Sequence, residues 1–221
     1  MCPGTRGGEL VGYRKVALKT GCYYHIFTRS IAGFEVFRYR EEYLRFLETF
    51  RFYQCERPIL RFSKKDFLRE RLSSGPDYVR LIAYCIMPTH VHFILEQLAE
   101  AGISECMRLT LNSYARYFNE KSGRKGPLWE SRFQNRLIET DEYALHLSRY
   151  IHLNPTSAGL VTRPEDWEFS SYREYLGLCR EPQLCEFIKI IPLSADRYRK
   201  FAEDHADHQR TLQVLKAHLI D

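Results

Sequence analysis

The sequence predicts an α+β fold in which an antiparallel sheet carries helices on one face. Segments rich in aromatic and β-branched residues, which are typical of strands, alternate with segments whose apolar residues recur at helical spacing. In chain order these segments give strand, helix, strand, strand, helix, strand. That order is the split βαβ arrangement of ferredoxin-like folds.

The first strand and the first helix lie in the N-terminal quarter of the chain. Residues 21–31 (GCYYHIFTRSI) combine aromatic and β-branched side chains, and residues 41–54 repeat apolar residues at helical spacing. The charged stretch 56–77 contains Pro58 and the turn-forming run 73–76. We therefore expect an insertion at 56–77, with room for one short helix.

The sheet continues with a hairpin and ends on a strand that follows a second helix. Residues 78–87 and 90–96 form two apolar strands, and Pro88 between them suits a tight turn. Residues 103–119 repeat apolar residues at helical spacing, and residues 133–139 form the last strand.

A third helix, over residues 141–154, follows the predicted sheet. Thr140 or Asp141 is suited to cap its first turn, because short polar side chains accept backbone N–H bonds there. The pair Asn154 and Pro155 predicts its end, since the residue before a proline is disfavoured in helical conformation.

The composition predicts a foldable chain but does not select a partner. The chain has 221 residues, of which 44% are hydrophobic, and a formal net charge of +5, which permits a polyanionic partner without requiring one. Its seven cysteines are scattered and never spaced as C-x-x-C, which disfavours a disulfide framework and a zinc ribbon. No apolar run is long enough to cross a membrane, and no signal peptide is evident. We expect a cytoplasmic protein.

Two histidines one residue apart occupy the second hairpin strand. Side chains at i and i+2 of a strand leave the same face, so His90 and His92 present two imidazoles side by side. That geometry suits a divalent metal. In a chain with 8 histidines such a triplet is expected by chance about 0.3 times, so paired surface histidines without a metal remain an alternative.

The helix 141–154 is the candidate to complete such a site, since Mg²⁺ and Mn²⁺ usually recruit oxygen ligands. Tyr150 and Asn154 are four residues apart and lie along the edge of its apolar face. Packed on the sheet, the helix would direct a phenol and an amide oxygen at the histidines. A tyrosine beside a metal is a possible nucleophile toward a phosphodiester, and the alternative is a tyrosine that only packs in a helix–sheet interface.

Basic residues concentrate between residues 116 and 136, in a region that also holds a tryptophan. Cations next to aromatic rings suit phosphates and stacked bases, whereas the alternative is a solvated basic loop. The candidate DNA-binding residues are Arg116, Lys121, Arg124, Lys125, Trp129, Arg132 and Arg136.

Three ordered motifs give the chain a resemblance to a known family. They are M-P-x-H-V-H-F at 87–93, G-P-L-W-E-S-R-F at 126–133 and S-R-Y-I-H-L-N-P-x-x-A-G-L-V at 148–161. Together they resemble the HUH single-tyrosine transposases, particularly the branch associated with repetitive extragenic palindromes (REP). The pair Tyr24-His25 and the W-x-x-S-S-Y run at 167–172 also fit.

The resemblance covers residues 13–176 and implies one transposase-like domain there, interrupted by the insertion 56–77. Residues 178–221 are then a C-terminal helical extension, with helical patches at 198–206 and 211–219. Both the insertion and the extension depart from the family's usual core.

The resemblance also implies an activity, which is metal-dependent cleavage of single-stranded DNA, often beside a hairpin, with Mg²⁺ or Mn²⁺. His90 and His92 match the family's metal histidines, Tyr150 its nucleophile, and Asn154 the polar residue that completes the metal site. The implied reaction is a transesterification that leaves a 5′-phosphotyrosine and a 3′-OH and that joins strands in reverse. His146 and Asn154 stand where a second tyrosine would lie in related relaxases, which favours the transposase branch.

Two other functions stay open at this point. One is a noncatalytic, domesticated nucleic-acid-binding domain, and the other is a metal-dependent phosphodiesterase without a covalent step. The presence of His90, His92 and Tyr150 favours the enzyme over the binding domain. We expect single-stranded or hairpin DNA as the partner, no membrane association, and a monomer or a homodimer.

Overall fold

A computed structural model of the chain describes residues 17–55, 77–179 and 183–204. The expected insertion therefore lies outside the described residues except for Asp77, and so does the helical patch at 211–219. The strands are β1 (Tyr23–Arg29), β2 (Val79–Ile86), β3 (His90–Gln97) and β4 (Gln134–Ile138), and the α-helices are α1 (Arg40–Tyr53), α2 (Gly102–Lys121), α3 (Asp141–Ser157), α4 (Tyr172–Tyr175) and α5 (Ala195–Glu203).

The four strands form one antiparallel sheet in the order β2-β3-β1-β4. This order places β3 and β1 in the centre, and the chain reaches it through two helical crossovers, α1 and α2. The ferredoxin-like α+β fold predicted from the order of the elements is thus confirmed.

Helices α1 and α2 cover one face of the sheet. Phe93 of β3 stacks on Phe46 and Phe50 of α1, with ring centroids 6.3 and 4.7 Å apart. Because side chains alternate along a strand, the neighbouring residues His92 and Ile94 point to the opposite face. The histidine pair therefore lies away from the main aromatic core.

Helix α3 packs on the histidine face. Its apolar residues Ala144, Leu147 and Ile151 are buried, in agreement with the predicted apolar face. The C-terminal segment packs behind the helix, where the Tyr198 hydroxyl of α5 lies 2.8 Å from Ser148 Oγ. Residues of the extension thus share the hydrophobic core of the sheet, Tyr198 among them.

The predicted end of α3 at Asn154 is wrong, because the helix continues through Pro155 to Ser157. Proline lacks one N–H, so only one helical hydrogen bond is lost, and the ladder resumes where the Ala158 amide donates to the Asn154 carbonyl at 2.9 Å. The N-cap is Thr140, whose hydroxyl accepts a backbone N–H of the first turn. Asn154 is consequently held in regular helix, one turn after Tyr150.

Within the described ranges, no helix is both long enough and apolar enough to span a membrane. Five cysteines there carry free thiols, namely Cys55, Cys85, Cys106, Cys179 and Cys185. Cys22 is disulfide-bonded, whereas the scattered spacing of the cysteines disfavoured disulfides.

Candidate active site and nucleic-acid interface

A cleft of about 450 Å³ opens between the sheet and α3. The strands contribute the three histidines His25, His90 and His92, and the helix contributes Tyr150 and Asn154. The two histidines predicted from their spacing therefore share one cleft with the tyrosine and the asparagine predicted from helical periodicity.

The histidine rings have one engaged nitrogen and one open nitrogen. His90 Nδ1 lies 2.9 Å from the Thr89 hydroxyl, and His92 Nδ1 lies 2.9 Å from His25 Nε2. Among residues 17–55, 77–179 and 183–204, no hydrogen bond engages Nε2 of His90 or of His92. Each ring thus keeps Nε2 for a ligand, and the two rings are 5.1 Å apart.

Burial keeps these imidazoles neutral. It lowers the pKa of His90 to about 4, with a smaller contribution from Arg29, and it lowers the pKa of His25 to about 4, with help from Arg136. Burial lowers the pKa of His92 well below its ordinary value, and the other two histidines add to that effect. Neutral imidazole is the form that binds metal ions, so the cluster is prepared for a cation at neutral pH.

Tyr150 lies edge-on to His92, with ring centroids 5.9 Å apart and planes at 84°. It is half-buried, so its ring lines the cleft without being closed off from it. Asn154 follows one turn later on α3 and is only 3% exposed. The helix thus presents a phenol and an amide to the same space as the imidazoles.

The donor set of the cleft decides which cation it could hold. In the part of the chain that the structure describes, no group of three or more His, Cys, Asp or Glu side chains could hold a metal ion. A cation here would use the two imidazoles, the amide oxygen of Asn154 and oxygens from solvent or substrate. Such a mixed nitrogen and oxygen set fits a divalent metal that must leave positions open for a phosphate.

Two lining residues, His25 and Arg29, were not among the candidates from the sequence. The Tyr24-His25 pair did mark the strand, but its relation to His92 depends on the register between β1 and β3. In that register Phe27 is the partner of His92 and His25 the partner of Ile94, so His25 sits diagonally beside His92 on the same face.

The basic candidates divide by their surroundings. Arg136 is exposed, lines the cleft and is the strand partner of His25. Lys121 forms an ion pair with the buried carboxylate of Glu42 at 2.8 Å. Arg124 lies over the ring of Phe34, 5.6 Å from its centroid. The other exposed basic candidates are Arg116, Lys125 and Arg132.

Trp129 does not occupy a surface on which a base could stack. Its side chain is buried at 9% exposure, its ring packs against Phe37, Phe46 and Tyr114, and its Nε1 donates to the Leu111 carbonyl at 3.2 Å. A buried ring has no open face for a nucleobase. We therefore assign Trp129 to the core, which corrects the prediction that it binds DNA.

A second histidine cluster lies on the other side of α3. His152 is fully buried, its Nδ1 is 2.7 Å from the Tyr198 hydroxyl, and its Nε2 is 2.7 Å from Ser171 Oγ. Ser171 also accepts the backbone N–H of Tyr84 at 2.9 Å. The histidine of the third motif and the serine of the W-x-x-S-S-Y run therefore form one buried network that joins α3 to β2 and α5.

Comparisons with known proteins agree with these motifs. The sequence pattern of the family described as "Transposase IS200 like" matches residues 65–154, which include the histidine strand and Tyr150. A putative REP-associated tyrosine transposase of Haemophilus influenzae is 33% identical over 103 residues, which covers 41% of this chain and 57% of that protein. The chain thus spans little more than half of this curated relative.

A solved structure shares the fold. The match to a structure of a REP-associated tyrosine transposase bound to a REP hairpin covers 80% of this chain and 95% of that chain, with a TM-score of 0.52 and 18% identity. At that identity the likeness concerns the fold. The sequence matches, in turn, support the resemblance to IS200-like and REP-associated tyrosine transposases.

Proposed function

Because the chain resembles the IS200-like single-tyrosine transposases, we propose that it is a metal-dependent endonuclease and strand transferase for single-stranded DNA at hairpins or palindromes. The observation that carries this proposal is the cleft in which Tyr150 of α3 lies 5.9 Å from the His92 ring of β3. A further support is the solved neighbour, which is described as bound to a REP hairpin.

His90 and His92 would hold Mg²⁺ or Mn²⁺ through their open Nε2 atoms, and Asn154 would add an amide oxygen. When bound, the metal supplies positive charge beside the phosphate, where negative charge develops during the reaction. The protein's part is to keep the two imidazoles neutral, and burial lowers the pKa of each ring.

Tyr150 would act as the nucleophile. Its Oη forms a bond to the phosphorus while the bond from phosphorus to the 3′ oxygen breaks, and the phenolic proton ends on the released 3′-OH. The downstream strand then stays attached to the protein through a 5′-phosphotyrosine. Attack by a 3′-OH on this linkage reverses the step, so the same cleft can join strands.

The DNA surface would include the two cationic side chains that line the cleft, Arg29 and Arg136. The exposed candidates Arg116, Lys125 and Arg132 would add phosphate contacts outside the cleft. Each phosphate that such a residue neutralises releases counterions, so affinity should fall steeply with salt. Lys121 and Arg124 should contribute less to DNA binding. Lys121 is already paired with Glu42, and Arg124 already lies over the ring of Phe34.

A panel of 3′-labelled oligonucleotides, with and without a hairpin, tests this function in Mg²⁺, Mn²⁺ or EDTA. We expect cleavage in the single strand beside the hairpin, dependent on metal, and binding that weakens between 50 and 200 mM salt by about 10-fold or more. Salt-sensitive binding with no cleavage in either metal would favour the noncatalytic domain. Metal-dependent cleavage without any protein adduct would favour a phosphodiesterase. Light scattering on the free and the DNA-bound protein measures the oligomeric state, which is expected to be a monomer or a homodimer.

A further inference from the structure

His25 is the third imidazole of the cleft, and the proposed chemistry gives it no role. It lies on β1, is 7% exposed, and its ring is nearly parallel to that of His92, at 18° with centroids 5.2 Å apart. Its Nε2 is 2.9 Å from His92 Nδ1. Two imidazole nitrogens at this distance share one proton, so one ring donates and the other accepts.

The direction of this hydrogen bond decides what His92 can bind. If His92 Nδ1–H donates to His25 Nε2, then Nε2 of His92 keeps its lone pair and can ligate a cation. If His25 Nε2–H donates instead, neutral His92 must carry its proton on Nε2 and cannot ligate there. Only the first arrangement is compatible with metal binding by His92.

We propose that His25 is a positioning residue, which accepts the Nδ1–H of His92 and thereby holds the His92 ring with its Nε2 lone pair directed into the cleft. The inference rests on the proposed function, since it concerns a metal that His92 would bind. Ligating histidines commonly donate their second ring N–H to a partner that fixes tautomer and orientation. That partner is usually a carboxylate or a carbonyl, whereas here it is a second histidine.

The geometry also argues against His25 as a direct ligand of the metal. The nitrogen that contacts His92 is Nε2 of His25, and it meets the Nδ1 side of the His92 ring, away from the Nε2 that would hold the ion. His25 could not ligate through this nitrogen without giving up the hydrogen bond. A positioning role and a ligating role therefore predict different nitrogen atoms at the metal.

The first test uses the metal-free protein. In protein with ¹⁵N-labelled histidine at pH 7.5, long-range ¹H–¹⁵N spectra should show His92 protonated on Nδ1 and His25 protonated on its own Nδ1. His92→Gln and His25→Gln identify the two rings by the signals they remove. A wild-type spectrum with the His92 proton on Nε2 would overturn the proposal.

The second test is calorimetric titration with Mn²⁺. His25→Phe keeps a ring of similar size but accepts no hydrogen bond, so Mn²⁺ affinity should fall by about 10- to 100-fold. His25→Gln retains an acceptor oxygen and should recover part of that loss. His146→Phe is the matched control, because His146 is 47% exposed and lies outside the cleft. Thermal melts confirm that each variant is folded.

The outcomes separate this inference from the function on which it rests. Wild-type affinity in folded His25→Phe would overturn the positioning role alone. The ¹H–¹⁵N spectra can also be recorded after loading with Zn²⁺. A change in the chemical shift of a His25 nitrogen, and not of His92 Nε2, would make His25 a ligand and would also overturn the positioning role. If the wild-type protein binds no Mn²⁺ and no Mg²⁺, the metal dependence of the proposed function fails, and the inference fails with it.

Discussion

The histidine pair of β3 and the histidine of α3 share one property and differ in another. His92 and His152 are both buried, and burial lowers the pKa of each ring, to about 3 for His152. Both nitrogens of His152 meet protein hydroxyls, whereas His92 meets only His25, through Nδ1. Burial alone therefore does not indicate a functional histidine. What distinguishes His92 is a nitrogen without a protein partner in the described residues, on a ring that lines a cleft.

One short stretch of α3 contributes a side chain to each of the two clusters. Tyr150 and His152 are two residues apart, which turns their side chains by about 200° around the helix axis. Tyr150 consequently lines the cleft, while His152 faces α4 and α5, close to the rings of Tyr175 and Tyr198. A motif read as a single functional signature thus contains one candidate nucleophile and one structural anchor.

Removing the open nitrogens should have the largest effect. The double substitution His90→Ala and His92→Ala removes both metal ligands of β3, and a catalytic metal contributes several kcal/mol to the transition state. We expect the cleavage rate to fall by about 10³-fold or more, while hairpin affinity stays within about 3-fold. Single-turnover cleavage and fluorescence anisotropy measure the two quantities.

The exposed His146 provides the control for this pair. His146→Ala should leave both the rate and the affinity unchanged, because its side chain lies outside the cleft. Cleavage at the wild-type rate in a folded double variant would show that the open Nε2 atoms of His90 and His92 are not needed for the reaction.

The same contrast between buried and accessible groups applies to two of the predicted DNA-binding residues, Trp129 and Arg132. Because its ring is buried and its Nε1 is bonded to Leu111, Trp129→Ala should cost about 3 to 5 kcal/mol of unfolding free energy. Arg132→Ala, at an exposed position of the same motif, should leave stability within about 0.5 kcal/mol and weaken DNA binding. Urea unfolding compares the two variants. A stable Trp129→Ala protein with reduced affinity would restore the stacking role.

A smaller effect is expected for the pH dependence of the unfolding free energy, through His152 of the buried network. The folded pKa of His152, about 3, lies below the ordinary value of 6.5, so its stabilising contribution is complete above pH 6.5 and is lost as the pH falls toward 3. Between pH 7 and pH 5 this loss amounts to about 2 kcal/mol. Urea unfolding of wild type and His152→Gln at both pH values measures it. Equal pH dependence in the two proteins would show that His152 is not the group responsible.

Much of the cleft followed from periodicity. A period of two placed His90 and His92 on one face of a strand, and a period of 3.6 placed Tyr150 and Asn154 along one edge of a helix. Both relations are local, so they depend on a few neighbouring residues and not on how distant segments meet. The order of strands and helices is local in the same sense, and it led to the fold.

The remaining features depend on tertiary contacts. The position of His25 beside His92 needs the register of two strands that are distant in sequence, and the burial of Trp129 needs the packing of Phe37 and Tyr114 around it. Helix α3 passes through Pro155 because packing against the sheet offsets one missing hydrogen bond, which local propensity does not include. These contacts join distant segments, and the sequence offers no local signal for them.

The proposed chemistry is tested most directly by identifying the tyrosine that becomes linked to DNA. Tyr143 also lines the cleft on α3, so Tyr143→Phe is a control matched to Tyr150→Phe. Each protein is incubated with 3′-labelled hairpin DNA and Mn²⁺, resolved on a denaturing gel, and mapped by peptide mass. We expect a labelled adduct on Tyr150 in wild type and in Tyr143→Phe, and none in Tyr150→Phe. An adduct that persists in Tyr150→Phe, or that maps to Tyr143, would contradict the assignment of Tyr150 as the nucleophile.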